Sequence, residues 1–261
     1  MAARAMWKGV VNVGTASVPV KLYSAIVSHG IHFRLLHKTD KAPVKQQLVS
    51  AETDEPIEYA DVRKAFPIAR GRMVLLEKEE LEELEPEESR DIDVTRFVDP
   101  ADVDHRLYER PYYLGPDGNM KLYFAAVAAL EKKKKEGIAR WVMRDREYVG
   151  ALRVENGYLM LITMRHAEEI IAADALKPPG GRELQAREVK MAEQLIESLH
   201  GPFDPTQYHD QYRERVMELI EMKVKGKKPK VVKFRAKKVK DDQLADALEA
   251  SLVKTKRKAH G

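Results

Sequence analysis

Three histidines, His29, His32 and His37, lie close together near the start of the chain. Histidine nitrogens are common metal ligands, so a shared ion is one interpretation of this group. On an extended strand, however, His29 and His32 point to opposite faces, and a common ion would need a turn between them. Ordinary strand histidines are the favoured alternative, and we predict neither a metal nor a cofactor.

Acidic side chains are concentrated in residues 77–109, which hold 14 Asp or Glu against 4 Lys or Arg. The carboxylates of "DVDH" (102–105) and of "EKEELEELEPEE" (77–88) are oxygen ligands of the kind that divalent ions prefer. A solvated acidic loop and helix is the simpler interpretation. We therefore expect this segment to form outer surface.

Catalytic motifs are missing from the sequence. It contains no phosphate-binding glycine-rich loop, no G-x-S-x-G turn, no kinase motif set and no H-E-x-x-H, and it has no cysteine. A nuclease would need a metal–carboxylate constellation, and none is convincing here. We expect a protein that is not an enzyme. Its longest apolar runs are too short for a membrane span and no signal-peptide pattern precedes Trp7, so we also expect a cytoplasmic protein with no membrane partner.

Basic residues are concentrated at the other end of the chain. Of the 46 basic and 42 acidic residues, residues 223–261 hold 14 and 4, which leaves 32 and 38 in residues 1–222. Ten cations and no acid fall within residues 223–240, together with Phe234. This composition favours a flexible tail that binds a polyanion such as nucleic acid, without base specificity.

Two further groups of lysines have two interpretations each. Lys132 to Lys135 fall in the predicted last turn of a helix, where cations stabilise the helix dipole, and nucleic-acid contact is the alternative. Lys8 and Lys21 lie opposite the apolar positions of two alternating strands, "WKGVVNV" and "SVPVKLYS". Outward lysines of this kind suit contact with a phosphate backbone, although solvated strand faces also carry them.

Periodicity predicts the elements that position these groups. We expect three strands within residues 7–36, the third of them "IHFRLLH". Further strands are expected in "RMVLL", which is followed by an acidic helix, in "RDIDVTRFVD" and in the closely spaced "IARWVMR", "YVGALRV" and "YLMLITM", the last two joined by a hairpin turn at "ENG". "ERPYYLGPDGN" is interpreted as turn-rich, and a helix is expected from an Asn119 cap to a Gly137 stop. The fold class is therefore mixed, mainly β.

The C-terminal third has helical periodicity. "RELQAREVKMAEQLIESL" and "DPTQYHDQYRERVMELIEMK" carry apolar stripes, the second at Tyr208, Tyr212, Val216, Leu219 and Ile220. We predict a core at residues 1–180, a helical region at 181–226 and a basic flexible tail at 227–261. "DDQLADALEASL" within that tail has the pattern of a short terminal helix.

An ordered set of motifs resembles the bacterial Ku family of DNA double-strand-break proteins. These motifs are "RAMWKGVVNVG", "SVPVKLYSA", "IHFRLLHK", "RPYYLGPD", "IARWVMRDREYVGALR" and "FDPTQYHDQYRERVMELIEMKVKGK", and the resemblance covers roughly residues 4–226. It implies a homodimeric ring in which a β-barrel with a projecting arch encloses duplex DNA ends, without enzymatic activity. It also implies recruitment of an ATP-dependent DNA ligase for non-homologous end joining.

The sequence departs from the family pattern at one turn. Ser50-Ala51-Glu52-Thr53 stands where many relatives have Cys-X-X-Cys, so the resemblance implies no metal here. Gln46, Gln47 and Leu48 replace basic residues that are common before that turn, and Lys38, Lys41 and Lys45 are the candidates to take their role.

These considerations select the predicted binding residues. The resemblance implies that the polar excursion at residues 38–72 belongs to the arch. The DNA-binding residues are expected on the first three strands, on this arch and on the tail: Lys8, Lys21, Arg34, Lys38, Lys41, Lys45, Arg63, Lys64, Arg70, Arg72, Lys227, Lys228, Lys230, Lys233, Arg235, Lys237 and Lys238. The ligase-binding residues are expected on one helix face: Arg213, Glu214, Glu218 and Glu221. The alternative function is that of a nucleoid-type architectural protein, which would coat DNA through its basic tail.

Overall fold

Seven strands between residues 7 and 164 close into a β-barrel in the computed structural model, which describes residues 4–176 and 185–226. The barrel strands are β1 (Trp7–Val13), β2 (Ala16–Ser24), β5 (Asp91–Val98), β6 (Tyr108–Pro116), β7 (Glu136–Val142), β8 (Glu147–Glu155) and β9 (Tyr158–Met164). Their order around the barrel is β1-β2-β6-β9-β8-β7-β5. The β1–β5 pair is parallel, and every other neighbouring pair of the barrel is antiparallel. This mainly β architecture confirms the predicted fold class.

The barrel core is built from alternate apolar side chains of these strands. Val18, Val20 and Leu22 of β2 are buried, whereas Lys21 between them is only partly covered. Helix α2 (Met120–Lys133) adds Tyr123 to the core, and the Tyr123 hydroxyl donates a hydrogen bond to the Leu114 carbonyl while it accepts one from the Leu159 amide. One side chain thereby connects β6 with β9.

The turns around α2 and β9 are partly as predicted. Asn119 caps α2 by accepting a hydrogen bond from the Leu122 amide, which confirms the predicted cap. The predicted stop at Gly137 is wrong, because Lys134 ends the helix in the left-handed region with φ 52° and Gly137 lies in β7. The β8–β9 hairpin turns at "ENG" as predicted, with positive φ at Asn156 and Gly157.

Two other predictions of local structure are wrong. "IHFRLLH" forms no strand, and only Leu36 makes an isolated bridge, to Pro43, because no neighbouring strand is there to pair with it. The segment interpreted as turn-rich contains strand β6. Pro111 is accommodated in β6 next to a register shift, which is a position where a strand tolerates proline.

A long excursion separates β2 from β5 and contains β3 (Lys64–Ala69), β4 (Arg72–Leu76) and the short helix α1 (Lys78–Glu82). β3 and β4 form a separate two-stranded antiparallel sheet. No residue between Leu22 and Ile92 is buried. The excursion therefore adds nothing to the barrel core and has no core of its own in a single chain.

The chain divides into two units, residues 1–175 and 176–261. The described part of the second unit contains α3 (Ala186–Leu199) and α4 (Gln211–Val224), where the sequence predicts helices. The sequence predicted a domain boundary after residue 180 and a tail at 227–261. Both lie outside the described residues and stay predictions. Within 4–176 and 185–226, no helix is long and apolar enough to cross a membrane.

Candidate nucleic-acid interface

Lys8 and Lys21 meet on the barrel surface at a third residue, Asp117. The two lysines are direct partners in the register of β1 and β2, and alternation turns both away from the core. Lys8 Nζ lies 3.0 Å from Asp117 Oδ2, and Lys21 Nζ lies 2.8 Å from Asp117 Oδ1. Each carboxylate oxygen therefore binds one ammonium group.

This contact favours the charged forms of Lys21 and Asp117. The hydrogen bond to Asp117 raises the pKa of Lys21. The hydrogen bonds from Lys21 and then from Lys8 lower the pKa of Asp117. The group of three thus carries a net charge of +1 at neutral pH, where the two lysines alone would carry +2.

Asp117 is a residue that the sequence did not identify as functional. It lies in the turn between β6 and α2, and its backbone amide donates a hydrogen bond of 3.0 Å to the Pro19 carbonyl of β2. A Pro-Asp-Gly-Asn turn is recognisable in a sequence, but nothing in its pattern indicates which lysines the aspartate will meet. The pairing depends on β2 and β6 being neighbours in the barrel.

The other end of the β1–β2 surface is polar and partly acidic. The Asn12 side-chain amide donates hydrogen bonds of 3.0 Å to both Asp91 and Asp93, and its oxygen accepts one from the Ser17 hydroxyl. Cationic character on these two strands is therefore confined to the region around Lys8 and Lys21.

The predicted basic residues of the excursion are all exposed. They fall into two groups, Arg34, Lys38, Lys41 and Lys45 before the β3–β4 sheet, and Arg63, Lys64, Arg70 and Arg72 next to or within it. Arg63 forms an ion pair of 3.3 Å with Glu77 and donates to the Ala60 carbonyl. The first group lies on backbone without regular strands, whereas Lys64 and Arg72 lie within the β3–β4 sheet.

Hydrogen bonds close the turn where the sequence has serine in place of cysteine. The Ser50 hydroxyl accepts from the amides of Glu52 and Thr53, both at 3.3 Å, and the Ser50 carbonyl accepts from the Asp54 amide. A bridge between Val49 and Pro56 flanks the turn. Ser50 thus stabilises this turn with contacts that involve no metal.

Within residues 4–176 and 185–226, no cluster of three or more His, Asp or Glu residues could hold a metal ion. His37 instead pairs with Asp40 at 2.8 Å. Asp104 accepts hydrogen bonds from the Arg106 side chain and backbone, which lower the pKa of Asp104 to about 2.

The run of lysines from 132 to 135 is divided between two roles. Lys132 and Lys133 lie in the last turn of α2, and Lys134 is its C-cap. Lys135 forms an ion pair of 2.5 Å with Asp99. Helix termination and local ion pairing therefore explain part of this run.

Helix α4 carries the four residues selected for a protein partner. Glu214, Glu218 and Glu221 are exposed, whereas Arg213 is half-buried together with Val216 and Leu219. Tyr212 and Ile220, which the sequence placed on the apolar stripe, are exposed, and Met222 is half-buried. The glutamates of this helix thus form its accessible acidic surface. The seven tail cations from Lys227 to Lys238 lie outside the described residues.

Comparison with known proteins decides the family. The family model described as "Ku70/Ku80 beta-barrel domain" matches residues 12–194. The chain belongs to the Ku family.

Curated relatives of this Ku-family chain match it over almost its whole length. It is 36% identical to the "Non-homologous end joining protein Ku" of Anaeromyxobacter sp. (strain K), over 98% of this chain and 87% of the relative. It is 35% identical to "Non-homologous end joining protein Ku 2" of Geotalea uraniireducens (strain Rf4), over 97% and 99% of the two chains. It is 36% identical to the "Non-homologous end joining protein Ku" of Heliobacterium modesticaldum, over 99% of this chain and 95% of the relative. The likeness to these relatives therefore extends beyond the barrel into the C-terminal helices.

Proposed function

We propose that the protein is a non-enzymatic homodimeric ring that binds double-stranded DNA ends independently of sequence and recruits an ATP-dependent DNA ligase for end joining. The observation that carries the proposal is the 35% to 36% identity, over nearly the whole chain, to proteins named for non-homologous end joining. A cytoplasmic location at the nucleoid belongs to the same proposal.

The β3–β4 sheet supports the homodimer. Phe66 and Val74 are register partners on one face and are 62% and 42% exposed, while Met73 and Leu75 on the other face are 69% and 65% exposed. A two-stranded sheet is marginal in water unless something packs against it, and this sheet has apolar side chains on both faces. A second copy of the chain is the partner that a closed, two-fold ring requires.

The distribution of cations supports contact with the DNA backbone. Lys8 on the barrel is exposed and Lys21 next to it is partly exposed, and further exposed Lys and Arg side chains lie along the excursion from Arg34 to Arg72. A protein that accepts any duplex must bind phosphates, since base edges would impose a sequence preference. Cations on a barrel and on an excursion from it suit a duplex held between the two.

The ligase proposal rests on the accessible glutamates of α4. Glu218 and Glu221 are exposed on a helix that lies beyond the barrel in the chain. An acidic helix surface offers a partner both charge and a regular contact surface.

Topology of the DNA is the decisive variable for a test. Binding of one duplex should be compared in linear form and as a covalently closed circle of the same length and sequence, at the same salt concentration. A ring should load on the linear duplex, stay bound after both ends are blocked, and bind the closed circle only at the non-specific level. Equal affinity for both forms would overturn the ring and favour a coating protein that acts through its tail.

A matched control separates loading from retention. If the ends of the linear duplex are blocked with bulky groups before the protein is added, a ring should fail to load. If they are blocked afterwards, it should resist a challenge with high salt. A coating protein would give the same result in both orders of addition.

A further inference from the structure

Asp117 lies between Lys8 and Lys21 and contacts both. Its two oxygens accept one ammonium group each, at 3.0 and 2.8 Å. A phosphodiester likewise shares one negative charge between two oxygens, and lysine binds phosphate as a point charge. Carboxylate and phosphate are therefore competing acceptors for the same two lysines.

The backbone holds Asp117 in this position from both sides. On one side, its amide donates to the Pro19 carbonyl of β2. On the other side, Gly118 has a φ of 105°, a value that favours glycine, and the next residue, Asn119, caps α2. Asp117 is thus fixed between two ordered elements, and it does not depend on the lysines for its location.

We propose that Asp117 is a built-in competitor of the DNA phosphate, which limits how tightly Lys8 and Lys21 hold the backbone. This inference rests on the proposed function, in which these lysines contact DNA. A ring that held every phosphate at full strength would resist moving along the duplex. When a phosphate leaves, the Asp117 carboxylate binds the two lysines again. This makes exchange from one phosphate to the next easier.

Removal of the carboxylate charge has a measurable consequence. Asp117→Asn leaves the turn in place and raises the net charge of the group from +1 to +2, which adds up to one phosphate contact per protomer. Each added contact steepens the dependence of log K on log salt by about 0.9. The variant should therefore bind linear duplex more tightly than the parent at low salt. Between 50 and 200 mM salt, its affinity should fall about 3 to 4 times more than that of the parent for each added contact.

Glu147→Gln is the matched control. Glu147 forms an ion pair of 2.6 Å with Arg140, and the substitution makes the same change in net charge. Its strand β8 lies three strands from β1 in one direction around the barrel and three from β2 in the other. If Asp117→Asn and Glu147→Gln change affinity and salt dependence equally, the effect is one of net charge and the proposal is wrong.

The experiment is a salt titration of the full-length protein on a linear fluorescent duplex. It compares the parent with Asp117→Asn, with Glu147→Gln, with the double variant Lys8→Ala/Lys21→Ala, and with the triple variant that adds Asp117→Asn to this double variant. The proposal requires a steeper salt dependence in Asp117→Asn, and no effect of Asp117→Asn once both lysines are absent. It is overturned if Asp117→Asn matches the parent, or if its effect persists without the lysines. Asp117→Ser removes the same charge with a smaller side chain and should change binding in the same direction, which guards against a folding defect of one variant.

The parent protein in the same titration tests the proposed function separately. If the parent shows no preference for ends, the ring is wrong whatever Asp117 does. If the parent binds ends and Asp117→Asn is indistinguishable from it, only the role of Asp117 is wrong.

Discussion

The Tyr108 hydroxyl donates a hydrogen bond of 2.5 Å to Glu136 Oε2, although Tyr108 begins β6 and Glu136 begins β7, and these strands are not neighbours in the barrel. Glu136 is only 2% exposed, and its other oxygen lies 3.4 Å from Arg153. Burial is the main cause, and the hydrogen bond to Glu136 the second, of a rise in the pKa of Tyr108 to about 12.

This pKa shift predicts a loss of stability at alkaline pH. An unfolded tyrosine loses its proton near pH 10, whereas Tyr108 in the folded protein keeps its proton up to about pH 12. Between these values the folded state binds more protons, so the free energy of unfolding falls as pH rises.

Urea midpoints at pH 8, 10 and 11 should show a smaller decrease in Tyr108→Phe than in the parent. Burial also raises the pKa of Tyr123, so part of the decrease should remain in the variant. Parallel curves for the two proteins would contradict the prediction.

A second prediction concerns the packing of Trp141 against Gly150. A Cβ atom at Gly150 would lie 2.4 Å from the Ile162 carbonyl oxygen and 2.8 Å from the Trp141 ring. Because the nearest atom belongs to the backbone, Gly150→Ala should lower the free energy of unfolding by about 1–3 kcal/mol. The control is Gly30→Ala, whose Cβ would meet only the Ser28 hydroxyl oxygen, at 3.6 Å. Equal urea midpoints for the two variants would show that the barrel accommodates the methyl group.

Periodicity predicted the elements that pack on the barrel core, because burial on one side imposes an alternating pattern on the sequence. β2 and β7–β9 are recognisable for this reason. "IHFRLLH" alternates equally well but has no neighbouring strand, and strand formation depends on that neighbour. β6 was hidden by Pro111 and Pro116, since prolines suggest a turn unless the register shift is known.

The candidate site was predictable only in part, because its contacts also depend on which strands are neighbours. Alternation alone turns Lys8 and Lys21 outward. Their pairing with Asp117 joins β1, β2 and the residue after β6, and the neighbour relation of β2 and β6 is a property of the closed barrel. Long-range contacts of this kind leave no periodic signal in one sequence.

The apolar β3–β4 sheet leads to a prediction about assembly. If it packs against a second copy, Phe66→Asp/Leu75→Asp should place a charge in the interface on each face and shift the protein from dimer to monomer. Sedimentation velocity at micromolar concentration measures this directly. Ile171→Asp is the control, because Ile171 is also an exposed apolar residue of the first unit but lies outside the excursion. A double variant that remains as dimeric as the parent would exclude this sheet as the interface.

The basic tail should contribute affinity without creating a preference for ends. Deletion of residues 227–261 removes 12 Lys or Arg residues. The salt dependence of DNA binding should become shallower by about 0.9 for each phosphate contact that is lost. The preference for linear over closed-circular DNA should remain, since it depends on the ring. An unchanged salt dependence would mean that the tail does not contact DNA, and loss of the preference would favour the coating protein.

The last prediction concerns the partner surface of α4. Glu218→Lys/Glu221→Lys should weaken stimulation of the end-joining ligase and leave DNA-end binding and dimerisation unchanged, because both residues are exposed and neither lies among the half-buried residues Val216 and Leu219. The helix itself should persist. Glu221 pairs with Lys225 at 3.4 Å, and an exposed pair of this kind stabilises a helix by only about 0.2–0.5 kcal/mol. Added lysines near the helix C-terminus also interact favourably with its dipole.

Ligation should be measured at limiting ligase concentration, where the rate depends on recruitment. The matched control is Glu193→Lys/Glu197→Lys on α3, which makes the same charge change at two exposed positions of the same unit. If only the α4 variant loses stimulation, its acidic surface binds the ligase. If both variants lose stimulation equally, net charge is the cause. If the α4 variant stimulates ligation as well as the parent, this surface is not the docking site, and the sequence pattern of Leu244 and Leu248 makes the end of the tail the next candidate.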